Sequence, residues 1–390
     1  MRILFITPSY KPAYIYGGPA VSVSELAEAL AVTGHTVTVY TTTANGREEL
    51  PVKTGQPIDV NGVTVFYFKR QTGDHTHVSF GLWNKLRKTA SKYEVVHLQS
   101  WWSILIIGAA AICRLKACWY IVSPRGMLSA YSFQRQNSKA KKIIHRLAGH
   151  YLLKKSYLHA TTRLEWDDCM QVNQSWKGFV LPNLVRLPEK ISSVTFPERE
   201  DERLVFGFLS RIDPKKGIEM LMEALAETKC TYQLKIAGAG EEEYIASLKK
   251  LAKDLKIDSK IEWCGWMKGE SKFQFLQSVD VFVLTSYNEN FANTVIEALG
   301  VGTPVFLSKR VGLADFVQKN EVGWVCDTDV ASIRTVVQRI FAERSKLQAM
   351  RKNAPVLIQK EFNKINLANQ YNDAYEQCAE RKLAGDIRRD

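Results

Sequence analysis

The sequence predicts two consecutive α/β domains, each a doubly wound and mostly parallel sheet. Three observations carry this expectation. Short β-branched runs alternate with stretches of helical periodicity, the scheme occurs once in each half of the chain, and a charged, proline-bearing break separates the two. In the first half the strand candidates are Ile3–Thr7, Thr36–Tyr40, Val63–Phe68, Glu94–Leu98, Tyr120–Ser123 and Tyr157–Ala160. Between the first two, Val21, Leu26, Ala27 and Leu30 recur at helical spacing, the pattern of a βαβ unit. In the second half the candidates are Leu204–Leu209, Gln233–Ala237, Lys260–Cys264, Val281–Leu284, Pro304–Leu307 and Gly323–Cys326, with helices such as Ile218–Ala226 and Tyr244–Lys253 among them.

The expected domains are residues 1–190 and 204–365, joined by a linker at 191–203 where Pro197 and the run Glu198 to Arg203 interrupt the periodicity. A last helix over 366–390 (Leu367, Tyr371, Ala374, Tyr375, Cys378) feeds no strand and packs on one of the two domains, with a return to the first as the expectation.

Composition narrows the function class. With 390 residues, 46% hydrophobic and 24% charged, the chain is a folded protein. The longest apolar run, Ile104 to Cys113, is about half the length that a membrane span needs. Met1-Arg2 leads straight into the strand-like Ile3-Leu4-Phe5-Ile6 without a secretory core, so a cytoplasmic location is expected. Seven cysteines without a CxxC pair read as reduced structural thiols. The net charge of +13 lies wholly in the first half: residues 1–190 hold 24 Lys and Arg against 11 Asp and Glu, and the remainder is balanced. That asymmetry calls for an anionic partner, a membrane surface or nucleic acid, or else reflects a solvated basic face.

In open α/β sheets ligands bind beyond the carboxyl ends of the strands, so the loops after strands are the places to search. Gly17-Gly18-Pro19 precedes a helix, where backbone N–H groups can approach an anion, although a glycine pair is more often a turn. After Leu204–Leu209 the run Ser210-Arg211-Ile212-Asp213-Pro214-Lys215-Lys216-Gly217 sets a guanidinium and an ammonium five residues apart, a pairing suited to a diphosphate. After Val281–Leu284, Glu289 lies in a loop and Glu297 is four residues from Asn293 on a helix, so both carboxylates can face one ligand. Carboxylates accept hydroxyl hydrogen bonds from sugar or ribose, and the N–H groups of Asn290, Phe291, Ala292 and Asn293 suit a phosphate. The fourth loop follows His97 and contains Gln99, Trp101 and Trp102. His97 can be a satisfied core histidine, and the tryptophans either core or an acceptor platform.

Together, Gly17-Gly18, Val95-Val96-His97, Ser123-Pro124-Arg125-Gly126-Met127-Leu128, Leu181-Pro182-Asn183, Arg211 with Lys216, and the Glu289-x7-Glu297 pair resemble the retaining glycosyltransferases of family 4 over nearly the whole chain. The resemblance implies the GT-B fold, two Rossmann-like domains facing across a cleft. It implies that Arg211 and Lys216 bind the diphosphate of a UDP- or GDP-linked sugar, Glu297 the ribose and Glu289 the transferred sugar, with Gly18 near the phosphates. His97 and Gln99 are then candidates to meet the sugar, and Gln99, Trp101, Trp102 and Arg125 stand on the acceptor side. The chain departs from the family in having Gln99 where a second histidine is common, and Asn290-Phe291-Ala292 where Gly-Phe-Gly is often found. The implied reaction is front-face hexosyl transfer without a protein nucleophile. Cationic side chains stabilise the leaving group in place of a divalent ion, and no cofactor or metal is expected, since no cysteine-histidine cluster occurs.

Arg135, Lys139, Lys142 and Arg146 line one face of a potential helix, with Ile143, Ile144 and Leu147 on the other. This pattern suggests docking on anionic lipid at the inner face of the cell membrane, and so a lipid-linked saccharide acceptor in surface polysaccharide or glycoconjugate synthesis. A solvated face on a packed helix explains it as well. Other readings are a GT-B-like sugar-nucleotide epimerase, a non-catalytic sugar-nucleotide binder, or a nucleic-acid-binding protein. No zinc pattern, RNP-like motif or helix-turn-helix accompanies the charge, so nucleic acid is not an expected partner.

Overall fold

The computed structural model describes residues 1–134, 143, 146, 149–188 and 203–383. The chain folds as two compact units, Met1–Val185 with Phe362–Asp390, and Arg186–Glu361. The change of unit at Val185 precedes the expected linker, most of which (residues 191–202) lies outside the described residues.

The first unit is built on an eight-stranded sheet. Its strands are β1 (Arg2–Ile6), β2 (Thr36–Thr42), β5 (Pro57–Val60), β6 (Val63–Phe68), β7 (Val95–Gln99), β8 (Tyr120–Ser123), β9 (Tyr157–Ala160) and β10 (Gly178–Val180); Ala44–Asn45 and Glu48–Glu49 form a separate two-residue hairpin, β3 and β4. The order is β10-β9-β8-β7-β1-β2-β6-β5, parallel except for the antiparallel pair β5 and β6. Winding reverses at the β1/β7 pair, so the loops after these two strands diverge and leave a crevice. The central strands β1 and β7 are buried almost throughout because helices cover both faces. The sequence signal missed β5 and β10, a half-exposed edge strand and a three-residue one that bury too little to show a pattern.

The closing helix Lys364–Leu383 belongs to this first unit. It buries Leu367, Tyr371, Tyr375 and Cys378 at intervals of four, four and three, with Ala368 beside the first, one helical stripe. Lys364 pairs with Glu25 of the helix Gly18–Val32, and Glu25 and Glu28 in turn meet Lys11.

The second unit is a six-stranded parallel sheet of β11 (Leu204–Leu209), β12 (Tyr232–Ala237), β13 (Ile261–Gly265), β14 (Val281–Leu284), β15 (Val305–Ser308) and β16 (Gly323–Cys326), in the order β13-β12-β11-β14-β15-β16. Its switch point is the β11/β14 pair. Arg351 pins the start of β14, donating to Asp280 Oδ1 (2.8 Å) and to the Val279 carbonyl, while Asp280 Oδ2 accepts from the Val205 amide (2.8 Å). No described helix is long and apolar enough to cross a membrane.

Candidate functional site

In the second unit the two loops at the switch point are drawn together by backbone geometry. The segment after β11 runs along residues 237–240: the amides of Ser210 and Ile212 donate to the carbonyls of Ala237 (3.2 Å) and Ala239 (2.8 Å). This approach needs Gly238 and Gly240, since a Cβ there would lie about 2 Å from the Ser210 and Ile212 carbonyl oxygens. Asp213 caps the turn Pro214–Lys216 by accepting from the Lys215 amide (2.8 Å), and Gly217 follows at φ +64. A Cβ on Gly217 would sit 2.5 Å from the Thr285 carbonyl oxygen, so this glycine lets the lysine turn press against the loop after β14.

That contact brings the Lys216 ammonium onto the Glu289 carboxylate. Glu289 is itself held by its backbone, donating to the Arg310 carbonyl and accepting from the Gly312 amide, each at 2.9 Å. Burial pushes its carboxyl up, but Lys216, Lys215 and Arg211 together outweigh this and hold it below the usual carboxylate range. Lys215 is pushed down by its own burial, which Glu289 opposes. Lys216 is buried and Arg211 exposed, so one cation is fixed while the other stands open to solvent.

Eight residues on, Glu297 takes a different partner. It is 4% exposed on the helix Asn293–Gly300, and Lys272 Nζ donates to its Oε1 at 2.6 Å. Burial pushes the Glu297 carboxyl up, with Lys272 opposing. The Phe291 side chain is packed in the interior, whereas Asn290 and Asn293 are half-buried. Ala292 caps the helix at φ 63 and ψ 75, a left-handed conformation that suits glycine better. Sequence reasoning missed Gly238, Gly240 and Lys272. The Gly-x-Gly directly after a strand was a usable signal for the first two; a lysine inside an ordinary helix gave none.

In the first unit, Gly17 (φ 66) precedes the helix Gly18–Val32 at the β1 side of the crevice. His97, expected among the residues meeting the sugar, is corrected to a core residue. It is fully buried, and its Nδ1 shares a hydrogen bond with the Tyr375 hydroxyl (2.8 Å) and its Nε2 with Ser123 Oγ (2.6 Å). Ser123 Oγ continues to His159 Nδ1 (2.6 Å), and His159 Nε2 to the Tyr371 hydroxyl (2.9 Å). Burial holds both imidazoles neutral, His159 pushed down to about 3 and His97 well below its usual value. Trp101 is likewise corrected: it is wholly buried in the hydrophobic core and offers no acceptor platform. Trp102 is half-buried, its indole N–H donating to the Met127 carbonyl (2.6 Å).

Gln99 and Arg125 form one cluster. The Arg125 guanidinium donates twice to Gln99 Oε1 (2.8 and 3.0 Å), to Ser22 Oγ and to Asn183 Oδ1. Gln99 Nε2 is buried without a partner among the described residues. Glu165, another buried residue that the sequence did not single out, accepts from the amides of Gly126 (2.6 Å) and Thr161 (2.7 Å) and so fixes the turn that carries Arg125. Of the basic stripe, Arg146 is exposed, and Arg135, Lys139 and Lys142 lie outside the described residues.

A basic strand-to-helix turn and a carboxylate pair thus follow the two strands at the switch point of a doubly wound sheet. Residues 192–356 match the family described as glycosyl transferases group 1, and residues 17–183 match the glycosyl transferase 4-like domain. The chain belongs to this family of glycosyltransferases. It is 25% identical to an uncharacterised glycosyltransferase of Methanocaldococcus jannaschii, over 96% of this chain and 98% of that protein. It is 23% identical to the alpha-monoglucosyldiacylglycerol synthase of Streptococcus pneumoniae, over 78% of this chain and 70% of that one. Among solved structures, the Anabaena protein HepE in complex with UDP-glucose aligns with a TM-score of 0.72 at 18% identity, covering 97% of this glycosyltransferase and all of HepE. The fold class of the glycosyltransferase is GT-B.

Proposed function

We propose that this glycosyltransferase moves a hexose from a UDP- or GDP-linked donor to a saccharide acceptor carried on lipid, with retention of anomeric configuration, at the inner face of the cell membrane. The observation that carries the reading is the Arg211, Lys216 and Glu289 cluster at the switch point of the second unit. Arg211, exposed and forked, and Lys216 take the diphosphate; Glu297 accepts from the ribose hydroxyls and Glu289 from the sugar. As the bond from the anomeric carbon to the phosphate oxygen breaks, negative charge grows on the diphosphate, and the two cations stabilise it in place. The acceptor oxygen bonds to the anomeric carbon on the same face, and its proton passes to the departing phosphate oxygen. HepE was crystallised with UDP-glucose and the streptococcal relative is a glycolipid synthase, which supports a nucleotide-sugar donor and a lipid acceptor.

The test begins with a thermal-shift screen of nucleotide sugars, in which the true donor raises the melting temperature by mass action, followed by turnover with that donor. Arg211→Ala should leave the melting temperature unchanged and lower turnover by about a hundredfold, the scale of losing one preorganised charge at a leaving group. Turnover should persist in excess EDTA. A near-normal rate for Arg211→Ala, or activity lost to EDTA and restored by magnesium or manganese, would reject the mechanism.

A further inference from the structure

Between Glu94 and Glu165 the sequence contains 70 residues without a single Asp or Glu, and 11 Lys and Arg. The described part of this stretch gathers an unusual surface on the first unit. The helix Ile104–Leu115 ends on Leu115, which is 84% exposed and stands between Arg114 and Lys116. Beside it the helix His150–Lys154 presents Tyr151, 49% exposed, and the two helices are joined when Arg114 Nε donates to the Tyr151 hydroxyl at 3.0 Å with its guanidinium 5.7 Å from the ring centroid. Lys116, Arg146 and Lys154 are exposed, and so is Ile143 at 57%.

We infer that this face, centred on Leu115 and Tyr151 and flanked by Arg114, Lys116 and Lys154, docks the enzyme on an anionic lipid bilayer. The inference rests on the reading that the acceptor is carried on lipid. A leucine left almost wholly in water forgoes the gain of burying its side chain, which a bilayer interface restores. Tyrosine sits at such interfaces because its ring is apolar and its hydroxyl wet. The cations add attraction to anionic headgroups, with no carboxylate in the stretch to oppose it. A nucleic acid would satisfy the cations but would leave Leu115 in water, and this favours the bilayer.

The experiment is co-sedimentation of the full chain with vesicles of phosphatidylcholine alone and with 30% phosphatidylglycerol, over a range of salt. A 20-base-pair DNA duplex serves as a competitor. Wild type should bind the anionic vesicles at least tenfold more tightly than the neutral ones, and less tightly as salt rises. Lys116→Glu with Lys154→Glu should weaken that binding about a hundredfold or more, since each reversal replaces attraction with repulsion. Leu115→Ser should weaken it severalfold without changing the salt dependence. Both variants should keep wild-type melting temperatures and wild-type turnover of a water-soluble acceptor. Equal binding to both vesicle types, variants that bind like wild type, or displacement of the vesicles by DNA would each overturn the inference. If vesicles bind as stated but only water-soluble acceptors, and no lipid-linked saccharide in the vesicles, are glycosylated, the docking face stands and the lipid-acceptor reading falls.

Discussion

Arg211 and Lys216 look interchangeable in the sequence, as two cations on one turn, yet the folded unit gives them different work. Arg211 is exposed and can reach a ligand at no cost to folding, whereas Lys216 is buried against Glu289 and neutralises it. Lys216→Met should therefore cost stability as well as turnover, about 3 kcal/mol, because it strands a carboxylate in a mostly buried place. The pH dependence follows from the depressed Glu289 carboxyl. Its contribution to stability is present above the unfolded carboxylate range, near 4.3, and is lost as pH falls through the lower folded value. The difference between wild type and Lys216→Met in urea unfolding should thus be largest at pH 6 to 7 and shrink below pH 4. A difference that does not change with pH would mean that the ion pair is not its source. The sequence could nominate both cations, but only burial separates the binding one from the one that also holds its neighbour.

At the scale of elements, the turns show what glycine does and what its absence leaves. Gly217 stands where the turn crosses the loop after β14, and Gly217→Ala should destabilise the second unit by about 2 kcal/mol or more, through a positive φ and a clash with a backbone oxygen. The helix Asn293–Gly300 presents the opposite case. Ala292 holds a left-handed conformation that costs a side chain about 1 kcal/mol. Ala292→Gly should raise the unfolding free energy by about that amount, read from the urea midpoint, and leave donor binding unchanged; a lower midpoint would show that the alanine methyl is packed and needed. Both glycine and alanine were visible in the sequence as loop residues after strands. Neither the close approach at Gly217 nor the strain at Ala292 was, because each depends on a second segment or on the dihedral angles reached.

At the scale of the molecule, the closing helix ties the end of the chain to the first sheet through buried polar groups rather than by apolar contact alone. Tyr375, His97, Ser123, His159 and Tyr371 form one hydrogen-bonded series, sealed from water. Both histidines titrate far below their unfolded value of about 6.5, so the stability they share is complete above that pH and is lost as pH falls from there toward about 3. The slope should approach 1.4 kcal/mol per pH unit for each ring. The pH dependence of unfolding of the first unit, followed by hydrogen exchange in the helix Lys364–Leu383, should steepen between pH 6 and 4 in wild type and lose about half of that slope in His159→Phe, the His97 share remaining; equal slopes would mean that the ring is solvated. By itself the sequence determined the alternation of strand and helix, the parallel sheets, and the basic turn and carboxylate pair after two strands, because these follow from local periodicity and from residue chemistry at strand ends. Tertiary structure alone decided which of those loops meet at a switch point, since strand order is a choice of partners far apart in the chain. It also decided that Glu289 pairs with Lys216 and Glu297 with Lys272, and that His97 and Trp101 are core residues. Burial comes from what packs on top, and for His97 the covering residue lies 278 positions away.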